Sequence, residues 1–257
     1  MATALTIAGL DPSGGAGVIA DVRAFNAFEC SAAAAITSIT FQNEREVLGA
    51  NHLSSSTVRL QVLAVLAASA VAAVKTGMLP TASIVREVVQ LIHEQSLPAP
   101  IVDPVMRSTS GYRLIEEDAI RELLESLLPV ARLVTPNIPE AEHITGVSIT
   151  DVATMAKAAH EIRKSGAQAV LIKGGHLDSV EERSEAIDLL DNEGRITVYR
   201  RTRIPNSQLH GSGCLLSAAI AACLAHGKSL EEAVDEAKQF VANAIFDASR
   251  IAERLPR

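Results

Sequence analysis

The chain has 257 residues, of which 48% are hydrophobic and 21% charged, and its formal net charge is −7. The negative charge argues against nucleic acid or an anionic membrane as a partner, because both attract basic surfaces. No signal-peptide pattern and no apolar run of roughly 18 residues is present, and the three cysteines lack metal-ligand spacing. We therefore expect a cytoplasmic protein with reduced thiols.

Short apolar runs alternate with amphipathic stretches along the chain. The apolar runs predict buried parallel strands at 4–9, 32–40, 70–77, 99–105, 131–137 and 168–175. Helical spacing of apolar residues predicts helices at 17–28, 56–68, 82–95, 117–128 and 152–166. A β-hairpin at 185–204, turning at Asn192–Gly194, precedes two final helices, one after Gly213 and one over about 229–251. This order predicts one α/β domain over residues 1–257, with helices on both faces of a mostly parallel sheet.

The first glycine loop lies in AGLDPSGGAGVIAD, residues 8–21. It contains a G-x-G-x-x-A pattern typical of dinucleotide binding, but the preceding loop is long and the following acidic residue, Glu44, lies in a polar cluster. Three interpretations stay open at this point. The loop could belong to an NAD-dependent dehydrogenase, could only pack a helix on a strand, or could cover a small ligand with Asp21 one helical turn inside the site.

The second glycine loop, HGSGC at 210–214, leads into an apolar helix. The amides of Gly211, Ser212, Gly213 and Cys214 can point at one anion and stabilise a transferred phosphoryl group. The helix dipole lowers the pKa of a thiol, so Cys214 is expected to form a thiolate near neutral pH and to accept a proton from a substrate hydroxyl. The alternative is that Cys214 is a small packing residue in the first turn.

Other polar residues end the predicted strands, where α/β sheets bind ligands. Asn137 and Glu140 have the spacing of a capping box, but Glu140 could also orient water around Mg²⁺ beside Asp103. Lys173 suits a nucleotide phosphate or a tight turn. Gln42 can donate to and accept from one edge of a heterocycle, or can be an ordinary exposed strand end.

Together these stretches resemble the ribokinase superfamily and, more narrowly, the hydroxymethylpyrimidine/phosphomethylpyrimidine kinases of the thiamine pathway. The motifs occur in the family's order from residue 4 to about 220: ALTIAGLDPSGGAGVIADVRAF, KTGML, VDPVM, TPNIPEAE, KGGH and HGSGCLLSAA. Each motif alone is moderately specific, whereas the full series, with a cysteine where sugar kinases of the superfamily carry aspartate, is highly specific.

The resemblance implies a ribokinase-like three-layer fold and a homodimer. It also implies two successive phosphoryl transfers from ATP with Mg²⁺, first to 4-amino-5-hydroxymethyl-2-methylpyrimidine and then to its monophosphate. The implied catalytic residues are Cys214, Gly211, Ser212 and Gly213. The implied substrate contacts are Gln42, Asp21, Gly9, Met78 and Val105. The implied ATP contacts are Asp103, Asn137 and Lys173, and the implied metal residues are Glu140 and Asp103.

The sequence departs from the family pattern at two places. The segment RSTSG at 107–111 lacks a lysine that family members often carry; if that lysine assists phosphate binding, Arg107 must replace it or the second phosphorylation is weak. Ser212 stands where threonine is common, which is a mild change because the amide forms the anion site. The alternatives are a pyridoxal kinase on the same fold and a non-catalytic pyrimidine sensor. Gln42 favours the aminopyrimidine.

Overall fold

The computed structural model describes residues 1–43, 45–175, 185–203 and 209–254, and the interpretations attached to Glu44 lie outside these ranges. Nine strands among the described residues form one sheet. The strands are β1 (Thr3–Leu10), β2 (Ser31–Gln42), β3 (Val47–His52), β4 (Val71–Thr76), β5 (Ile101–Val102), β6 (Leu133–Val134), β7 (Ala169–Ile172), β8 (Glu185–Asn192) and β9 (Arg195–Thr202). Their order in the sheet is β3-β2-β1-β4-β5-β6-β7-β8-β9.

The centre of the sheet is parallel and both of its edges are antiparallel. The six strands from β2 through β1 and β4 to β7 pair in parallel. β3 is antiparallel to β2, and β8 and β9 form the predicted hairpin. Its two turn residues, Glu193 and Gly194, have φ values of 52° and 93°, which suit the twist of a tight hairpin. The mostly parallel sheet predicted from the sequence is confirmed.

Helices cover both faces of this sheet. They are α1 (Gly17–Ala27), α2 (Ser55–Leu66), α3 (Ala82–Glu94), α4 (Glu117–Glu122), α5 (Ile138–Thr145), α6 (Val152–Arg163), α7 (Ser212–Ala225) and α8 (Leu230–Arg254). A π-helical turn at Leu123–Leu127 and a 3₁₀ turn at Leu128–Val130 continue α4. Among the described residues no helix is long and apolar enough to cross a membrane.

Two apolar cores separate the layers. Ala4 and Leu5, neighbours in β1, point to opposite faces of the sheet and belong to different cores. The Leu5 core contains residues of α2, α3 and α6, whereas the Ala4 core contains residues of α1, α7 and α8. α7 is apolar all round and its residues Leu216–Cys223 are buried, because α1, α8 and the sheet enclose it.

Several predicted boundaries need correction. The strands expected at 99–105 and 131–137 have only two residues each, and in both cases a proline follows one residue later, at Pro104 and Pro136. Proline has no N–H for the sheet and therefore ends these strands. β3 was not predicted, because its side chains are partly or fully exposed and it buries no apolar face. α5 was anticipated only through its capping box.

Candidate active site

A pocket opens at the carboxyl ends of β1, β2 and β4, against the first turn of α7. β2, which follows β1 in the chain, pairs with one edge of β1, and β4 pairs with the other edge. The chain therefore changes its direction of winding at β1, and the pocket lies at this point. This is where open α/β sheets bind ligands. Its lining includes five of the predicted residues, Gly9, Gln42, Met78, Val105 and Cys214. The other lining residues, none of which was predicted to contact a ligand, are Ala8, Leu10, Asp11, Ala16, Gly17, Thr40, Lys75, Gly77 and Leu114.

The two glycine loops meet backbone to backbone beside this pocket. Gly211 caps α7 with a φ of 78°, a left-handed conformation that favours glycine. A Cβ atom at Gly211 would lie 2.1 Å from the carbonyl oxygen of Gly15. A Cβ at Gly17, whose φ is 58°, would lie 2.3 Å from the carbonyl oxygen of Gly9. Both loops therefore require glycine for their close approach.

Cys214 lies in the first turn of α7 and lines the pocket. Burial raises the pKa of its thiol to about 11, helped by the charges of Asp103 and Asp21. The Lys75 ammonium and the Gly17 N–H, which donates to the sulfur, lower the pKa but do not outweigh burial. The expected low pKa of Cys214 is therefore wrong for this structure, because desolvation of the thiolate outweighs its stabilisation by Lys75 and the Gly17 N–H.

Lys75 and Asp21 form a buried ion pair at the floor of the site. Lys75 Nζ lies 2.9 and 2.7 Å from the two oxygens of Asp21, and the Thr6 hydroxyl donates to Asp21 at 2.6 Å. Burial by itself lowers the pKa of Lys75, but nearby negative charges, Asp21 foremost, raise it above its ordinary value, so the ammonium stays charged. Asp21 does not line the pocket, but it accepts hydrogen bonds from Lys75, which does.

Asp103 and Lys173 form a second ion pair on the α7 side. Lys173 Nζ lies 2.8 Å from Asp103 Oδ1, and the hydroxyls of Thr135 and Ser217 donate to the Asp103 carboxylate, each at 3.3 Å. Burial raises the pKa of Asp103, but Lys173 and Lys75 lower it below its ordinary value. Lys173 also adjoins the glycine loop, since a Cβ at Gly213 would lie 3.0 Å from its Nζ.

Asn137 and Glu140 form the capping box of α5. The Glu140 N–H donates to Asn137 Oδ1 and the Asn137 N–H donates to Glu140 Oε2, both at 2.8 Å, so the capping interpretation is confirmed. Burial, with the nearby charge of Asp103, raises the pKa of Glu140 to about 7 against the lowering effects of Lys173 and the backbone N–H groups. Glu140 therefore keeps its proton to a higher pH than an exposed glutamate does.

These two carboxylates fit a Mg²⁺ ion that arrives with a nucleotide. Asp103 and Glu140 are both buried and close enough for each charge to affect the other's titration. Among the residues whose positions are described, no group of three or more His, Cys, Asp or Glu side chains could hold a metal alone. Mg²⁺ commonly keeps several waters and uses one or two carboxylates together with substrate phosphates, which matches this donor set.

Sequence reasoning also missed Asp11 and His210, which join the two glycine loops. His210 Nε2 lies 3.0 Å from an oxygen of Asp11 and 3.5 Å from Gln42 Nε2. The signal for Asp11 was the DPSG turn, where an aspartate commonly accepts from nearby N–H groups. The signal for Lys75 was a lysine inside an otherwise apolar strand.

The site as a whole combines an amide-lined helix start, two lysines, two carboxylates at the sheet edge and a narrow pocket with a glutamine on its wall. In a nine-stranded, mostly parallel sheet between two layers of helices, this is the arrangement of a ribokinase-like phosphotransferase.

Comparison with known proteins gives the family. The phosphomethylpyrimidine kinase family model matches residues 11–255. The hydroxymethylpyrimidine/phosphomethylpyrimidine kinase of Rhizobium meliloti (strain 1021) is 43% identical over 251 residues, which covers 97% of this chain and 92% of the relative. The chain belongs to the phosphomethylpyrimidine kinase family.

Solved structures agree with this assignment. A phosphomethylpyrimidine kinase from Clostridium difficile 630 superposes with a TM-score of 0.83 at 39% identity, covering 95% of this chain and 100% of that one. The pyridoxal kinase from Staphylococcus aureus, solved with AMP-PCP and pyridoxal, gives a TM-score of 0.86 at 33% identity, covering 95% and 88%. The predicted family, fold class and kinase function are confirmed, and the protein is an ATP-using kinase.

Proposed function

We propose that the protein transfers the γ-phosphoryl group of ATP to the hydroxymethyl oxygen of 4-amino-5-hydroxymethyl-2-methylpyrimidine. It then phosphorylates the monophosphate to the diphosphate, in thiamine biosynthesis. The observation that carries this proposal is that Gln42 and Cys214 line the same pocket, the first able to read an aminopyrimidine edge and the second next to the amides of Gly211, Ser212 and Gly213. The family membership supports the same reaction.

Cys214 is the base in this mechanism. As the substrate oxygen attacks the γ-phosphorus, the O–H proton passes to the Cys214 thiolate, and the bond from the γ-phosphorus to the bridging oxygen breaks to release ADP. The amides at 211–214 stabilise the charge that develops on the transferred group. Because the thiol pKa is about 11, few molecules hold a thiolate at pH 7, and the Lys75 charge limits the cost of forming it.

The nucleotide lies on the Asp103 side. Lys173 is the cation for its phosphates, and its distance from Gly213 is short enough for both to meet one phosphoryl group. Asn137 borders Lys173 through a parallel bridge between the two backbones. Glu140 and Asp103 would hold Mg²⁺, which would supply positive charge against the phosphates of the nucleotide.

The substrate ring lies against the pocket wall that includes Gly9, Met78 and Val105. Met78 packs directly on Gly9, with its Sδ 2.9 Å from where a Cβ would stand, so these two residues form one continuous surface for the ring. Asp21 does not touch the ring; its carboxylate holds the ammonium of Lys75, which lines the pocket. Gln42 pairs with the amino group and the adjacent ring nitrogen.

The chain acts as one kinase domain over residues 1–257, in the cytoplasm and as a homodimer. An exposed apolar patch on the β2–β3 edge supports self-association, because Phe41 is 52% and Leu48 70% exposed there. Neither nucleic acid nor a membrane is a partner, in keeping with the net charge of −7.

Product analysis tests the reaction directly. The protein is incubated with ATP, Mg²⁺ and the aminopyrimidine alcohol, and the products are identified by mass with time. We expect the monophosphate first and the diphosphate later, with one ADP released for each transfer. Ligand binding without ADP would instead support the non-catalytic sensor.

A pyridoxal kinase is the second candidate, and the superposition on the Staphylococcus aureus pyridoxal kinase is the observation that favours it. The same assay with pyridoxal separates the two. A higher kcat/KM for pyridoxal than for the aminopyrimidine alcohol would reverse the assignment.

A further inference from the structure

Asp11 lies in the pocket wall between Gln42 and the loop that leads into α7. Its side chain is only 4% exposed. One carboxylate oxygen accepts hydrogen bonds from the Ser13 N–H at 2.8 Å and the Ser13 hydroxyl at 2.7 Å. The other accepts from the Ala16 N–H at 2.9 Å and lies 3.0 Å from His210 Nε2. Gln42 Nε2 lies on the same side, 3.5 Å from His210 Nε2.

These contacts keep Asp11 ionised. Burial alone raises the pKa of a carboxyl, but the hydrogen bonds from Ser13, Gln42 and His210 hold the pKa of Asp11 below its ordinary value. At neutral pH Asp11 is therefore an anion and can only accept hydrogen bonds.

The charge on Asp11 fixes the orientation of the Gln42 amide. Since a carboxylate has no proton to give, the amide group of Gln42 that faces it must be the NH₂. This agrees with the position of Gln42 Nε2, which is the amide atom on the side of Asp11 and His210. With its NH₂ group turned toward Asp11, the amide offers a ligand its Oε1 as an acceptor and an N–H as a donor.

The geometry points to Asp11 as a positioning residue that selects amino-substituted rings by holding Gln42 in this orientation. Oε1 then accepts a hydrogen bond from the ring's amino group, and the second N–H donates to the adjacent ring nitrogen. Pyridoxal has no ring amino group, and its aldehyde and ionised phenol are acceptors, which Oε1 repels. This inference rests on the proposed function, because the ring is the one proposed above.

The surrounding loops hold Asp11 and His210 in place. A Cβ at Gly15 would lie 2.5 Å from His210 Cδ2, so the first glycine loop packs directly on the imidazole. The Thr109 hydroxyl lies 3.4 Å from His210 Nδ1 and can donate to it or accept from it. Contacts on both sides of the imidazole thus hold its Nε2 toward Asp11.

A competition assay tests the inference. The protein receives equal concentrations of the aminopyrimidine alcohol and pyridoxal with ATP and Mg²⁺, and the two phosphorylated products are quantified by mass. Their ratio gives the ratio of the kcat/KM values, from which any inactive protein cancels. We expect Asp11→Asn to lower this ratio about tenfold, because asparagine can donate or accept and lets the Gln42 amide turn over.

Two further variants separate positioning from a general structural role. Ser13→Ala removes a bond to the other oxygen of Asp11, so its ratio stays within twofold of the parent protein's. Adding Gln42→Glu to Asp11→Asn restores a fixed acceptor for the ring's amino group but supplies no donor for the ring nitrogen, so the ratio recovers to about half of its loss on a logarithmic scale.

An unchanged product ratio in Asp11→Asn, or an equal loss in Ser13→Ala, would overturn the inference. Pyridoxal phosphate that stays below detection in both the parent and Asp11→Asn also counts against it. If the parent protein makes no aminopyrimidine phosphate, the proposed function itself fails, and the two failures are distinct.

Discussion

Cys214 shows how strongly the chemistry of one residue depends on its neighbours. The helix N-terminus and the Lys75 ammonium favour its thiolate, whereas burial and the carboxylates of Asp103 and Asp21 favour its thiol. With a pKa of about 11, the thiolate fraction at pH 7 is roughly 10⁻⁴, a free-energy cost of about 5 kcal/mol. In the proposed mechanism, a residue that lowers this cost raises the rate of phosphoryl transfer.

Neutralising the Lys75–Asp21 pair is expected to raise the pKa of Cys214. The variant is Lys75→Met with Asp21→Asn, since Lys75→Met alone would leave a buried unpaired charge. Lys75 acts on the thiol more strongly than Asp21 does, so the thiolate loses net stabilisation. We expect alkylation of Cys214 by iodoacetamide at pH 8–9.5, mapped by peptide mass, to slow several-fold.

The matched control is Asp188→Asn with Lys238→Met, which neutralises a buried Asp–Lys pair between β8 and α8. The control should alkylate at the parent rate. Equal rates in both double variants and the parent would show that Lys75 does not set the charge state of Cys214.

For single residues, the sequence predicted which side chains lie in the site when they belong to a recognisable motif. It did not predict ion pairs between residues that are distant in the chain. Gly9, Gln42, Met78, Val105 and Cys214 come together because each lies at a strand end or a helix start. The Lys75–Asp21 pair could not be derived, because it depends on how α1 lies across β4, a tertiary contact between residues 54 positions apart.

At the scale of elements, α5 combines a structural and a proposed functional role. Its capping box fixes the Glu140 carboxylate at the helix start and at the same time buries it beside Asp103. The sequence offered capping and metal binding as alternatives, and the structure shows the capping contact, in which the Asn137 N–H donates to Oε2 of Glu140.

The raised pKa of Glu140 predicts that the free energy of unfolding falls as the pH rises. Because its folded pKa of about 7 lies above the ordinary value of 4.5, the folded state holds a proton that the unfolded state loses. The stabilisation is complete below pH 4.5 and is lost as the pH rises to about 7, a change of about 3 kcal/mol at most. In Glu140→Gln, the free energy of unfolding, measured by urea denaturation, should depend less on pH between pH 5 and 7.5 than it does in the parent protein. A pH dependence identical to that of the parent protein would contradict the raised pKa.

Element boundaries were less predictable than element types. The predicted hairpin and the helices at 17–28, 82–95 and 152–166 agree closely with the structure, since their apolar periodicity matches their burial. The lengths of the strands before Pro104 and Pro136 were overestimated, because the apolar runs in the sequence extend beyond the residues that pair in the sheet.

At the scale of the whole molecule, the winding of the sheet decides where the chemistry lies. Parallel strands end at the same edge, and the change of direction beside β1 leaves a crevice there that α7 closes on one side. Residues from positions 8 to 214 therefore line one pocket. The alternation of strands and helices predicted this arrangement from the sequence, whereas the antiparallel edge strand β3, which has no buried face, was not predictable.

The most direct test of this account is the turnover of Cys214→Ala with the aminopyrimidine alcohol and ATP, beside the dissociation constant of the alcohol. We expect kcat to fall by about 10² or more, as on loss of a general base, while the dissociation constant changes by less than threefold. A variant that turns over at a rate close to the parent's would show that Cys214 only fills space in the first turn of α7, and the proposed mechanism would be wrong.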